Sequence, residues 1–574
     1  MHLLDSVSVL AFILSAVEAN SGYAPEKVSC PSDASFVREA NALSSQESEW
    51  LDKRHTQTQP ALKEFLTRAG ISDFDIEDFF DDASSNITIG LAFSGGGYRA
   101  MLNGAGQLSA LDSNTRNANE LGLGGICQSS TYLVGSSGGN WLTGSIALND
   151  WIGIEDLVYH DEGDGVWDLN NSIFDEGGWN VIETISRFTS IAKELAAKKD
   201  AGFETSITDL WGRLLSYQFF GSDNDASTAL TFSSIKETDA FQNALVPFPI
   251  SVADGRVPGS EIINLNSTLF EFNPFELGSW DYSLKAFTDL KYVGTPVNNG
   301  RPTSDYCIKG YDNAGFVLGS SSSLFNELLL DLKDNSATAI LYELIEDFLT
   351  FTDNENVDVA IWNNNPFYNT SYGDSETVLK SNSLYLVDGG EDGEVIPFAP
   401  LLQSERELDI IFGFDSTADS EYLLPNGDSL VATYERQFLN LTDSNAFPYV
   451  PDTNTFLEKG LTSRPTFFGC NGSNLTELSR IPPLIVYVPN IPYTYLSNTS
   501  TFKMQYSNSE KYAMVQNGFE ISSRKNLTLD SDWQKCIGCA VIQRELERTG
   551  QSQPNECKEC FDRYCWDGSL TTNS

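Results

Sequence analysis

Histidine is almost missing from this chain. Among 574 residues there are three: His2, His55 and His160. A Ser-His-Asp triad needs an imidazole as its base, so once an N-terminal leader is set aside only His55 and His160 could serve. His55 lies in DKRHTQTQPALKEFL, a polar helical stretch, and His160 in LVYHDEGDGV, an acidic loop. Both contexts read as exposed surface, and neither is built to hold an imidazole against a nucleophile. Positive charge is also scarce. The chain has 35 Lys and Arg against 80 Asp and Glu, a formal net charge of −45. Such a surface repels nucleic-acid phosphates and has no attraction for anionic membranes, so any lipid contact must use apolar surface. After the first nineteen residues no apolar run is long enough to span a bilayer. The last residues, DGSLTTNS, carry no hydrophobic tail, so no glycolipid anchor is expected.

What is present describes a large folded protein. Apolar residues make up 41% and aromatics 12%, enough for a sizeable core, and the length allows more than one domain. Residues 1–19 read as a signal peptide: an apolar run from Val7 to Val17, then Val17-Glu18-Ala19 with small residues where signal peptidase needs them. The start is atypical, with Asp5 and no Lys or Arg, which leaves a buried N-terminal helix as the rival. Glycosylation acceptors are numerous: Asn86, Asn170, Asn266, Asn369, Asn440, Asn471, Asn474, Asn498 and Asn526 each begin N-x-S/T. Together with a leader they predict a secreted, extracellular glycoprotein, cell-wall associated or free.

Three stretches carry the chemistry. The first is TYLVGSSGGNWLTG, Thr131 to Gly144. Tyr132, Leu133 and Val134 predict a strand, Gly135 to Gly139 a turn, and Trp141 onward a helix. Ser137 is the centre of G-x-S-x-G, where glycines two positions either side let strand and helix pass closely around an exposed serine. Glycine-rich serine turns are common in α/β proteins, so spacing alone leaves a plain turn open. The second stretch is ITIGLAFSGGGYRAMLNGAGQLSAL, Ile87 to Leu111. Ile87, Ile89, Leu91 and Phe93 alternate as in a strand, and Met101, Ala105, Leu108 and Leu111 recur as in a helix. The glycine run between them leaves bare N–H groups for an oxyanion or phosphate. Arg99 stands at a helix start, where a cation opposes the dipole, so it is expected to face an anion. A nucleotide loop is the rival, but SGGGYRA lacks the Lys-Ser/Thr of a P-loop and the G-x-G-x-x-G spacing.

The third stretch is SLYLVDGGEDGEVIPFAPLL, Ser383 to Leu402. A strand is predicted to end at Val387, with Asp388 directly after it and ahead of two glycines, at the sheet edge where α/β proteins put functional groups. The rival is a calcium loop from Asp388, Glu391, Asp392 and Glu394, without the regular alternation of an EF-hand. A helix is expected over Glu47 to Ala69, and further helices around Ile182 to Leu195 and around Leu210 to Phe219, the latter two as covers of the core or as a lipid-contacting lid. The tail from Cys536 reads CIGC…CKECFDRYC, with Cys536, Cys539, Cys557 and Cys560 at zinc-ribbon spacing. In a secreted chain the same cysteines are expected as disulfides. With Cys30, Cys127, Cys307, Cys470 and Cys565 the count is nine, which leaves at least one unpaired within the chain.

SGGGYRAM, GSSGG and VDGGEDGEVIPFAPLL, in that order, resemble the fungal phospholipase B (lysophospholipase) family, related to the catalytic domain of cytosolic phospholipase A2. Asp209-Leu210-Trp211-Gly212 and the cysteine tail resemble it too, so the likeness covers nearly all of the mature chain. The resemblance implies an α/β fold, a layered central mixed sheet flanked by helices as in patatin. It implies a catalytic domain over 20–535 and a Cys-rich extension over 536–574 packed on it. It implies Ser137 as nucleophile, Asp388 as its partner in a dyad without histidine, Gly96 and Gly97 as oxyanion-hole donors, and Arg99 as the phosphate-binding residue. No cofactor or metal is expected, and calcium dependence is not implied, since the calcium-binding lipid-targeting domain of the cytosolic relatives is missing. The expected substrates are phospholipids and lysophospholipids at a membrane or micelle surface. The alternatives are a secreted Ser-His-Asp esterase or lipase using His55 or His160, and a non-catalytic lipid-binding or cell-wall protein.

Overall fold

The computed structural model describes residues 22–82, 86–159, 165–173, 181–220, 228–260, 262–323 and 358–571. The expected leader, residues 1–19, and His160 lie outside these residues.

One twelve-stranded sheet organises the chain. Its strands, in chain order, are β1 (Val37–Glu39), β2 (Ile89–Phe93), β3 (Tyr132–Ser136), β4 (Phe248–Gly255), β5 (Leu269–Phe272), β6 (Glu276–Ser279) and β7 (Ala286–Asp289). They continue with β8 (Ala360–Asn363), β9 (Ser383–Asp388), β10 (Ile410–Asp415), β11 (Thr466–Phe468) and β12 (Leu484–Pro489). The order across the sheet is β11-β12-β10-β2-β3-β4-β5-β6-β7-β1, and β9 joins β4 and carries β8. The neighbours from β12 to β4 are parallel and the remaining pairs antiparallel. The sheet is therefore mixed, as expected.

Strand periodicity divides the core between the two faces. Ile89, Leu91, Phe93, Leu133, Phe412, Phe414 and Val486 share one apolar cluster. Ala92, Val134, Ile250, Ile411 and Ile485 share the other. Such near-continuous apolar strands are what burial on both faces demands. The helices that matter for the site are α1 (Ser45–Ala69), α2 (Gly97–Ser109), α3 (Gly138–Leu148), α4 (Ile207–Phe219), α5 (Ala314–Ser320), α6 (Asn508–Ser522), α7 (Trp533–Thr549) and α8 (Asn555–Tyr564). The predicted helix over Glu47 to Ala69 is α1, capped by the Ser44 hydroxyl on the Glu47 N–H and closed by Gly70 at φ 65°. Helix α2 packs tightly on α6: a Cβ on Gly106 would run into the Val515 carbonyl, and one on Gly518 into the Asn103 carbonyl.

The cysteine tail forms helices, not a zinc ribbon. Cys536–Cys560 and Cys539–Cys557 tie α7 to α8, Cys470–Cys565 ties the tail to the sheet side, and Cys30–Cys307 closes the N-terminal segment. Cys127 is free and buried. Cys536, Cys539, Cys557 and Cys560 belong to the same apolar cluster as the central strands. None of the nine sequon asparagines is buried.

Candidate active site

The G-x-S-x-G segment folds as β3 up to Ser136, a one-residue turn at Ser137, and α3 from Gly138. Ser137 has φ 49° and ψ −120°, a left-handed conformation that a side chain resists. That strain is characteristic of a nucleophile elbow, and the start of α3 aims its positive end at the serine. The Ser137 N–H donates to the Ser321 carbonyl at 3.1 Å and lies 3.2 Å from the Ser321 hydroxyl. Gly138 has to be glycine, since a Cβ there would run into the Gly97 carbonyl. The turns after β2 and β3 thus touch backbone to backbone.

Strand β4 brings the acid to the serine. Its residues Phe248 to Val252 pair in parallel with β3, and the last pair is Ser136 with Val252. The next residue, Ala253, pairs with Asp388 at the end of β9, which runs antiparallel and continues through Val387 with Asp254. The other edge of β4, from Ser251 to Asp254, is taken by β5. Strands β3 and β9 therefore lie on one flank of β4 and meet end to end, with Ser136 and Asp388 in consecutive slots. Residues 251 positions apart in sequence, Ser137 and Asp388, are neighbours because both strands stop at the same point of a third.

Asp388 is 3% exposed and Ser137 is 5% exposed. Asp388 Oδ1 accepts from the Gly390 N–H at 2.9 Å, and Oδ2 has no partner of good hydrogen-bond geometry. Burial pushes this carboxyl up from 3.8 to about 6, against the Ser137 hydroxyl and the Gly390 N–H, which favour the anion; the charge of Asp392 adds to the rise. Two further bonds fix the acid's loop. Gly389 N–H donates to the Ser321 carbonyl at 3.3 Å, the acceptor that Ser137 also uses, and Gly95 N–H donates to the Val395 carbonyl at 3.0 Å. Ser321 follows α5 within the run Ser320 to Ser323. Ser320 accepts from Trp362 Nε1 at 3.1 Å, and Ser322 from Trp141 Nε1 and Trp211 Nε1 at 3.0 Å each. Sequence reasoning missed Ser321. The signal was there, a four-serine run too polar for core, but it lies in a region of mixed strands and loops with no recognised motif.

Gly96 has φ 131° and Gly97 φ 63°, and neither N–H has a hydrogen-bond partner among the described residues. Both N–H groups are thus free to donate at the start of α2. Arg99, two residues on, is buried. Nε donates to the Ser416 carbonyl at 2.7 Å, and Nη1 to the Thr499 carbonyl at 2.6 Å and the Thr501 hydroxyl at 3.2 Å. Nη2 makes no hydrogen bond among the described residues and lies beside Gly96, 2.5 Å from where a Cβ would be. Burial lowers the guanidinium to about 10, which leaves it charged at neutral pH.

Two further acids of the third stretch, Asp392 and Glu394, have another partner. Arg436 is buried and pairs with Asp281 at 2.8 Å, Asp392 at 3.1 Å and Glu394 at 3.1 Å. Asp254 joins them by accepting the Asp392 N–H at 3.0 Å. The cation facing Asp392 and Glu394, two of the four would-be calcium acids, is supplied by the chain, and no group of three or more His, Cys, Asp or Glu that could hold a metal ion occurs among the described residues. Asp209 is structural: it completes the capping box of α4 and accepts from Tyr23 at 2.6 Å and Lys198 at 2.5 Å. The His55 Nδ1 lies 3.1 Å from Asn86 Nδ2.

The family described as "Lysophospholipase catalytic domain" matches residues 89–571. The chain is 49% identical to a "Lysophospholipase" of Kluyveromyces lactis, over 99% of this chain and 91% of that protein. It is 48% identical to "Lysophospholipase 3" of Saccharomyces cerevisiae, over 99% of this chain and 84% of that one. Among solved structures, human GIVD cytosolic phospholipase A2 shares the fold with a TM-score of 0.66 at 17% identity, covering 91% of this chain and 72% of that one.

Proposed function

Since the chain belongs to the lysophospholipase catalytic-domain family, whose members are ester hydrolases, we propose that it removes fatty acyl chains from lysophospholipids and phospholipids through a Ser137–Asp388 dyad. The observation that carries this reading is the end-to-end meeting of β3 and β9 on β4, with Ser137 and Asp388 side by side. Ser137 Oγ attacks the acyl carbonyl carbon while Asp388 takes the hydroxyl proton. Gly96 and Gly97 N–H groups receive the oxyanion, each worth about 3 kcal/mol to the transition state. The proton on Asp388 passes to the leaving glycerol oxygen, and the acyl chain stays on Ser137. Asp388 then activates water, which releases the fatty acid. A second lysophospholipid in place of water receives the acyl chain instead, and the reaction is transacylation. An ordinary carboxylate is too weak a base for a serine; one raised to about 6 by burial is better matched to the task.

Arg99 is the proposed site for the substrate's phosphate, through Nη2. Tyr422 is 72% exposed and Leu496 58% exposed on the two loops that border Arg99, the kind of apolar contact that a chain of net charge −45 needs with a lipid surface. Four disulfides support an oxidising compartment, and nine unburied sequons support glycosylation, so the protein is proposed to be secreted. No cofactor enters this scheme. The test is fatty-acid release from lysophosphatidylcholine, with and without chelator. The wild-type rate should not depend on the chelator, and Ser137→Ala should show background release only. Normal release by Ser137→Ala would end the proposal.

A further inference from the structure

Arg99 differs from the other buried arginines in how its charge is met. Arg406 and Arg436 face carboxylates. Arg54 faces none, but spends Nε, Nη1 and Nη2 on the carbonyls of residues 127, 128, 130 and 244. Arg99 has no carboxylate within ion-pair distance among the described residues, its acceptors are two carbonyls and a hydroxyl, and Nη2 is unused. A buried guanidinium with only neutral acceptors binds an oxyanion more strongly than it binds them.

Those acceptors come from two loops. The Ser416 side is fixed: its N–H donates to the Ser94 hydroxyl at 2.8 Å and its hydroxyl accepts from Asn103 Nδ2 at 2.8 Å. The other side is a strap without regular structure, residues 498–502. Its main chain lies on the oxyanion turn, with the Thr501 carbonyl 2.5 Å from where a Gly97 Cβ would stand. Apart from Arg99, the strap's side chains are held by Asn498 Nδ2 on the Tyr422 carbonyl at 2.9 Å and by the Thr499 hydroxyl on the Tyr506 hydroxyl at 2.7 Å; the Ser500 hydroxyl accepts from the Phe502 N–H within the strap, and Phe502 packs on the apolar cluster and anchors its far end.

We propose that Thr501 and Thr499 latch this strap to Arg99 and so determine specificity: a phosphate group that enters on the unused Nη2 spans both terminal nitrogens, displaces the two threonines from Nη1, and the strap lifts off the oxyanion turn. Phosphate-bearing esters open the site for themselves, and neutral esters meet it closed. The proposal rests on the reading of Arg99 as the phosphate site.

The two ideas separate in one set of assays. Hydrolysis of p-nitrophenyl butyrate, an ester without phosphate, is measured with and without glycerophosphocholine. The wild-type protein should be accelerated severalfold by glycerophosphocholine. Thr501→Val, which removes one hydrogen bond to a charged group, should raise the rate without glycerophosphocholine by about tenfold or more and show a smaller further acceleration. Thr501→Ser, which keeps the hydroxyl, should behave as wild type. Inhibition or no change of the wild-type rate by glycerophosphocholine, while Arg99→Lys loses lysophosphatidylcholine hydrolysis, would overturn the latch and leave the phosphate site standing. Arg99→Lys hydrolysing lysophosphatidylcholine at the wild-type rate would overturn both.

Discussion

At the scale of single residues the proposed chemistry depends on Asp388 being ionised yet reluctant to be so. Burial supplies the reluctance, and the Ser137 hydroxyl and Gly390 N–H moderate it. Asp388→Asn keeps the shape and the Gly390 contact but removes the base, so kcat should fall by about a thousandfold, while the melting temperature at neutral pH should not fall, because a buried carboxylate no longer has to ionise. The base form predominates above its pKa, so kcat/KM should rise with pH through about 6. A pH–rate profile on a soluble substrate checks this, and Asp388→Asn should lack that limb. Arg436 stands behind the same loop and compensates Asp281, Asp392 and Glu394. Arg436→Met leaves those buried acids without their cation, at a cost of about 3–5 kcal/mol, read by urea denaturation.

At the scale of elements the site is a matter of where strands stop. The sequence made the ends of β2, β3 and β9 legible, because glycine runs follow alternating apolar residues and mark strand-to-turn junctions. It could not show that β3 and β9 end in consecutive slots of β4. That register belongs to Val252 and Ala253, ordinary strand residues with no local signature. The placement of Ser321 was hidden for the same reason, since its carbonyl serves two loops that are distant in sequence. Arg99 was legible as a cation placed against a helix dipole; its hold on the Thr499 to Thr501 strap was not. The close approach of the two turns gives a sharp test. Gly138→Ala drives a methyl into the Gly97 carbonyl, so it should separate Ser137 from the Gly96 and Gly97 donors. Activity should fall by at least about a hundredfold, the worth of one lost oxyanion donor, while circular dichroism stays native.

At the scale of the whole molecule two features act together, the acid excess and the cross-links. Burial raises Asp388, Asp392 and Asp415 to about 6 and Glu394 to about 7. Between about pH 4 and these values the folded chain holds protons that the unfolded chain has released, so stability falls as pH rises through that window. The melting temperature should therefore be higher at pH 5 than at pH 7.5, opposite to the trend of activity, and calorimetry at the two values decides it. The disulfides between α7 and α8 close segments of 18 and 24 residues, each worth about 3 kcal/mol on chain-entropy grounds. They hold a tail that shares the apolar cluster of the central strands.

The central claim is that a hydroxyl and a carboxylate, with no imidazole, form the reacting pair. The most direct test is the rate at which a fluorophosphonate labels Ser137, followed by mass spectrometry in the wild type, in the double variant His55→Gln/His160→Gln, and in Asp388→Asn. The double variant should label at the wild-type rate, and Asp388→Asn should label about a hundredfold more slowly or worse. Loss of labelling in the histidine variant, or undiminished labelling in Asp388→Asn, would contradict the account.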